Sequence, residues 1–138
     1  GYGMAYDLAR DRVVLFGGEN GSSPYVLGDT WEFDGETATW TQVSIGGPAP
    51  RYAIGTMAYD PTRQRVVLFG NNDYGNPVPQ YFQDMWTWDG ATWHALPLLG
   101  PATGSDGTMA YDEARSTFVL FGGFPAVGDT WECRLSHP

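Results

Sequence analysis

Gly3-Met4-Ala5-Tyr6-Asp7, continued at Arg10-Asp11-Arg12-Val13-Val14-Leu15-Phe16-Gly17-Gly18 by an apolar run closed with two glycines, decides how the rest of the chain is read. The pair returns as Thr56-Met57-Ala58-Tyr59-Asp60 with Arg63-Gln64-Arg65-Val66-Val67-Leu68-Phe69-Gly70-Asn71. It returns again as Thr108-Met109-Ala110-Tyr111-Asp112 with Arg115-Ser116-Thr117-Phe118-Val119-Leu120-Phe121-Gly122-Gly123. The leading methionines stand 53 and 52 residues apart. A third element follows each copy, as Gly28-Asp29-Thr30-Trp31, Gln83-Asp84-Met85-Trp86 and Gly128-Asp129-Thr130-Trp131. A fourth occurs twice, as Thr39-Trp40-Thr41-Gln42-Val43 and Thr92-Trp93-His94-Ala95-Leu96. Self-similarity at a fixed period marks a repeat architecture in which each copy is one supersecondary unit.

Each element is short, rich in β-branched and aromatic residues, and bounded by Gly, Pro, Asp or Asn, which is the pattern of a strand. We letter the four strands of a repeat a, b, c and d. Strand b is a continuous apolar run, as expected where both faces of a sheet are covered. Strands a and b are joined by Asp7-Leu8-Ala9-Arg10, Asp60-Pro61-Thr62-Arg63 and Asp112-Glu113-Ala114-Arg115. An Asp that opens such a turn can close it with its own side chain. Asp34-Gly35 and Asp89-Gly90 supply the hairpin signal between c and d. The expected architecture is all-β, with eleven strands in three antiparallel meanders, the last lacking strand d.

Composition agrees with this reading and removes several functions. Of 138 residues, 42% are hydrophobic and 15% aromatic, too many for a disordered chain. Nineteen Gly and ten Pro spread along the chain disfavour a helix bundle. Asp and Glu outnumber Arg by 16 to 7 and Lys is absent, so the net charge of -9 repels nucleic acid and anionic lipid. No apolar run approaches the ~18 residues of a membrane span, so no membrane insertion is expected. A single Cys excludes an internal disulfide framework and a multi-thiolate zinc site.

A four-stranded meander at a period near 50 residues resembles a kelch repeat, the unit of a β-propeller also found in galactose-oxidase-type domains. The resemblance covers essentially the whole chain. It rests on Gly17-Gly18 and Gly122-Gly123 after strand b, on Trp31, Trp86 and Trp131 in strand c, and on Trp40 and Trp93 in strand d. The repeats are most similar to those of exported bacterial kelch proteins, which implies an extracellular or periplasmic location. The resemblance implies one propeller segment over 1–138, with blade 1 at 1–49, blade 2 at 50–103 and an incomplete blade 3 at 104–138. Asn71 stands for the second Gly of repeat 2, a residue that tolerates the left-handed conformation. Arg51, in Gly47-Pro48-Ala49-Pro50-Arg51, has no counterpart after Gly100-Pro101. Propellers close with about four to eight blades. Three blades therefore belong either to a longer chain or to a homodimer that closes a six-bladed ring.

Antiparallel connectivity puts the a–b and c–d turns at one end of each sheet and the b–c and d–a loops at the other. The first set is nearly invariant, whereas the second varies in length and content, and varied loops on a fixed scaffold are where binding specificity sits. Tyr25, Asn72, Asp73, Tyr74, Tyr81, Phe82 and Phe124 are the candidate binding residues, because aromatics beside Asn and Asp suit a carbohydrate or a protein partner. Asp7, Asp60 and Asp112, and likewise Asp29, Asp84 and Asp129, recur with the repeat and are expected to build turns and brace backbone. Trp31, Trp86 and Trp131, with Trp40 and Trp93, are expected to fill space between layers. Copper-radical chemistry of the galactose-oxidase kind would need more histidines than His94 and His137, and Cys133 aligns with aromatics of strand c. Residues 71–82 faintly resemble a calcium loop, but Phe82 stands where the closing Glu belongs. No catalytic set, metal or cofactor is assigned. The function expected is a binding or scaffold module. The alternatives are a segment of a propeller enzyme (a sugar oxidase or glycan-active protein) whose catalytic groups lie outside these residues, and a structural subunit.

Overall fold

The three Met-Ala-Tyr-Asp elements are strands β1 (Gly3–Asp7), β5 (Met57–Asp60) and β9 (Thr108–Asp112). Each pairs with the apolar run that follows, in β2 (Arg12–Phe16), β6 (Arg65–Asn72) and β10 (Thr117–Phe121). The tryptophan-bearing third elements are β3 (Thr30–Asp34), β7 (Tyr81–Trp88) and β11 (Thr130–Cys133), and the fourth are β4 (Thr39–Ser44) and β8 (Trp93–Leu99). The computed structural model describes residues 1–22, 25–44, 46–74, 77–99, 107–123 and 128–135. Among them the chain is all-β, in three antiparallel sheets ordered β1-β2-β3-β4, β5-β6-β7-β8 and β9-β10-β11.

The a–b turns are built by the recurring carboxylates. Asp7 Oδ1 accepts the Arg10 N–H at 3.2 Å and its Oδ2 accepts Arg10 Nε at 2.8 Å. Asp60 accepts the N–H groups of Thr62 and Arg63 at 2.9 and 3.2 Å, and Arg63 Nη1 at 2.7 Å. Asp112 repeats the pattern with Arg115 at 3.0 and 2.7 Å. Each turn ends in a left-handed residue, Asp11, Gln64 or Ser116, with φ of 54°, 54° and 51°. That last residue returns the chain to the register of the second strand.

The c–d connections differ from the two-residue hairpin that Asp-Gly suggests. Asp34 pairs with Thr39 and Trp88 with Trp93, leaving four residues in each loop. Asp34 Oδ1 accepts the N–H groups of Glu36 and Thr37 at 2.8 and 3.3 Å, and Asp89 Oδ1 those of Ala91 and Thr92 at 2.8 Å each. The side chain thus captures donors two and three residues ahead and supports a wider turn.

The sheets stack on one another through two apolar clusters. Alternate residues of β6 point to opposite sides. Val66 and Leu68 join Val14, Phe16, Met57, Trp88 and Trp93 between the first and second sheets. Val67 and Phe69 join Met85, Met109, Phe118 and Leu120 between the second and third. β1 lies against β5 and β5 against β9, so the leading strands neighbour one another. Polar links cross the first junction: Trp88 Nε1 donates to Glu32 Oε1 at 2.9 Å, and Trp93 Nε1 to Thr30 Oγ1 at 2.8 Å. Glu32 also takes Arg10 Nη1 at 2.6 Å, so its buried carboxylate is paired.

The tryptophans divide by depth. Trp88 is fully buried and Trp93 nearly so, their rings 5.5 Å apart. Trp31 and Trp86 are half-buried, while Trp40 and Trp131 are exposed. The strongest layer-filling residue is therefore Trp88, two positions beyond the recurring Asp-x-Trp element. Trp88→Ala should lower stability by roughly 3–5 kcal/mol in chemical denaturation, whereas Trp40→Ala in the isolated chain should cost less than about 1 kcal/mol. Equal losses at both positions would contradict this assignment of depth.

Candidate functional site

The b–c and d–a connections meet at one end of the sheets and are tied to one another by backbone bonds. Gly18 N–H donates to Arg51 C=O at 3.0 Å, Arg51 N–H to Leu27 C=O at 3.1 Å, and Tyr52 N–H to Asn72 C=O at 2.8 Å. Gly17 and Gly18 have φ of 71° and 106°, and a Cβ on Gly17 would lie 2.5 Å from the Arg51 carbonyl oxygen. In the second sheet Gly70 and Asn71 keep left-handed φ of 53° and 78°. Asn71 therefore holds the same kind of bend as the second glycine of the other repeats.

Arg51 organises this end. It is completely buried. Nη1 lies 2.5 Å from Asp84 Oδ1 and Nη2 3.1 Å from Oδ2, a two-pronged ion pair. Nε donates to Ala49 C=O at 2.9 Å and Nη1 also to Gly70 C=O at 3.2 Å. The guanidinium stacks 3.8 Å above the Phe82 ring. Burial alone would raise the Asp84 carboxyl, but hydrogen bonds from Arg51 and the Trp86 indole, with the Arg51 charge, outweigh it and hold the group below the usual carboxylate range. In sequence the only signal of this role is an unmatched Arg in a Pro-rich connection.

The structure distributes the predicted binding residues between framework and surface. Strands β6 and β7 take up part of the b–c loop that carries most of these residues, because Asn71 pairs with Phe82 and Asn72 with Tyr81 beyond a register shift at Gly70. Asn72 and Asp73 are buried rather than presented, and Asn72 Oδ1 accepts the Tyr74 N–H at 3.2 Å. Phe82 lies beneath Arg51. Tyr74 and Tyr81 remain on the surface, each 47% exposed. Their rings meet edge to face at 5.9 Å and their hydroxyls lie 3.2 Å apart. The Tyr74 hydrogen bond holds the Tyr81 hydroxyl above its ordinary pKa. Tyr25 is exposed on the β2–β3 connection, which an isolated bridge between Glu19 and Val26 narrows. Phe124 lies outside the described residues.

Glu19 and Tyr52 belong to the same end and escaped the sequence reading. The Tyr52 hydroxyl donates to Glu19 Oε2 at 2.9 Å and is held above its ordinary pKa by that bond. The recurring carboxylates of β3 and β7 have local duties: Asp29 and Asp84 accept the indole N–H of Trp31 and Trp86 at 2.7 and 2.6 Å. The Asp29 and Asp129 carbonyls accept the N–H of Gly17 and Gly122 at 3.2 and 3.0 Å. Among the described residues, no three His, Cys, Asp or Glu side chains converge to hold a metal ion. No protein-family model matches the chain.

Two outcomes are expected at this site. Arg51→Met should destabilise by roughly 2–4 kcal/mol, because Asp84 and two carbonyls lose their donor, and Arg51→Lys should recover only part of it. Thermal unfolding across pH tests Asp84. Its folded pKa is depressed from 3.8, so its contribution is whole above about pH 4 and is lost as pH falls through the folded value. Asp84→Asn should therefore have a lower Tm near neutrality and a shallower fall below pH 4. Parallel pH curves for the two proteins would remove Arg51–Asp84 from the account of acid stability.

Proposed function

We propose that the chain is a segment of a kelch-type β-propeller that acts as a binding or scaffold module for a protein or carbohydrate ligand. The binding end is the one carrying the β2–β3, β6–β7 and β4–β5 connections. The blade reading draws support from the stacking of meanders whose leading strands neighbour one another, and from the repeat resemblance, with which bacterial export also goes. One observation carries the functional reading: Tyr74 and Tyr81 form a half-exposed aromatic pair above buried Asn72 and Asp73. A ring pair fixed on a rigid base offers apolar area and hydroxyl groups at little entropic cost on binding. Sugars stack on such rings through their C–H faces, and peptide segments pack against them.

The opposite end favours a structural role. Its recurring carboxylates, Asp7, Asp60 and Asp112, accept turn N–H groups and pair with Arg10, Arg63 and Arg115. Screening the chain against an oligosaccharide array and a displayed random-peptide library, followed by calorimetry on the best hit, tests the proposal. Tyr74→Ala and Tyr81→Ala should each weaken that ligand at least tenfold, with Tm changed by no more than a few degrees. A ligand that binds both variants unchanged, or no ligand in either collection, would overturn the assignment of this end.

A further inference from the structure

Of the four Asn residues in the chain, only Asn20 is followed by Gly, and it stands exposed on the β2–β3 connection. The ends of that connection are pinned, since Leu27 N–H donates to Gly18 C=O at 2.9 Å and Glu19 bridges to Val26. Between the pins, Asn20 Oδ1 accepts the Ser22 N–H at 3.0 Å. This bond closes a ring that contains both the Asn20 amide carbon, Cγ, and the Gly21 nitrogen. The side chain is thus folded back along its own backbone. Among the described residues the Gly21 N–H meets no acceptor. Gly21 has φ of 75°, and a Cβ built on it would meet nothing within 4 Å, so water reaches this turn.

An amide in this setting is placed for attack by its own backbone. A nucleophile held beside an electrophile replaces a chance encounter by a unimolecular step. The Ser22 N–H draws density from the Asn20 side-chain carbonyl and supports the negative charge that Oδ1 gains when Cγ becomes tetrahedral. Gly21 sets no Cβ beside the attacking nitrogen. The other three Asn residues lack this combination. Asn71 and Asn72 are buried in β6 and precede Asn and Asp. Asn76 precedes Pro77, whose nitrogen has no hydrogen to lose.

We propose that Asn20 is a self-modification site, converted by water to aspartate or isoaspartate at the loop end of the first sheet. Hydroxide removes the Gly21 amide proton, and the nitrogen bonds to Cγ. The Cγ–Nδ2 bond breaks, ammonia leaves with a proton from water, and a five-membered imide remains. Water then opens the imide at one of its two carbonyls. Opening at Cγ restores the ordinary backbone and leaves aspartate. Opening at the backbone carbonyl leaves the chain running through Cγ, as isoaspartate. One water is consumed and one ammonia released, with no change of oxidation state. Either product sets a new carboxylate beside Glu19, whose Oε2 accepts the Tyr52 hydroxyl at 2.9 Å. The loop end therefore gains negative charge as the protein ages. The isoaspartate branch also lengthens the backbone next to the Glu19–Val26 bridge. The chemistry is independent of the ligand-binding reading, since it needs no partner but water.

Tryptic peptide mapping of the folded chain, after incubation in mildly alkaline buffer, tests this. Cleavage at Arg leaves Asn20 as the sole Asn of peptide 13–51 and puts the other three in peptide 66–115. Peptide 13–51 should gain the mass of one amide-to-acid conversion at least about tenfold faster than 66–115. Asp34-Gly35 shares that peptide, but its isomerisation leaves the mass unchanged. Anion exchange of the intact chain should show a more acidic form growing at the same rate. Fragmentation should find isoaspartate at position 20, which separates the imide route from direct hydrolysis of the amide. Asn20→Gln should abolish the mass gain and Gly21→Ala should slow it, with circular dichroism unchanged. A folded chain that keeps Asn20 while the free 13–51 peptide converts overturns the proposal, because the fold then protects the amide. Equal conversion of the two peptides overturns it as well, as does aspartate without isoaspartate.

Discussion

Val66, Val67, Leu68 and Phe69 succeed one another in β6, and all four are buried, so this strand of the middle sheet has no wet face. Each such side chain loses roughly 1.5–3 kcal/mol of favourable transfer if left in water. The middle sheet therefore requires a neighbour on either side, and the first and third sheets supply them. Successive residues serve opposite clusters, so a shift of one residue in the pairing of β5 and β6 would put every side chain on the wrong side. The order of the sheets and the depth of the tryptophans follow from this double burial.

Polar groups in this arrangement sit where apolar packing would otherwise leave donors unmatched. Trp88 and Trp93 fill the first junction, and their indole N–H groups find Glu32 and Thr30 across it. A buried indole without an acceptor would forfeit roughly 1–3 kcal/mol. Arg51 does the corresponding work at the loop end, where bends at Gly17 and Gly70 bring carbonyls together with the Asp84 carboxylate. Turn ends and loop ends thus use acidic residues differently. Asp7, Asp60 and Asp112 close local turns with an Arg three residues on, whereas Asp84 is paired from a distant segment.

That contrast bears on function. A turn closed by its own carboxylate is satisfied locally and has little capacity left for a ligand. The loop end is fixed from beneath by Arg51, Asn72 and Asp73, all buried, while Tyr74, Tyr81 and Tyr25 stay at the surface. Rigid support below exposed aromatics is what a recognition surface needs.

Strand identity and strand order within each meander were legible in the sequence, because the Met-Ala-Tyr-Asp, Val-Val-Leu-Phe and Asp-x-Trp elements act over a few residues through alternation and turn chemistry. The turn-building Asp residues could be read for the same reason, since donor and acceptor lie within three positions. The tertiary structure decided what depends on distant segments. Trp88 rather than Trp86 is the buried tryptophan because Glu32 and Phe16 of another sheet meet that stretch of β7 and β8. Asn72 and Phe82 are framework rather than loop because β6 and β7 continue pairing past Gly70. Arg51 is a hub because its partner Asp84 lies 33 residues away. Local chemistry determines where the chain extends and turns; the burial and pairing of side chains are set by surfaces that meet only once the sheets have stacked.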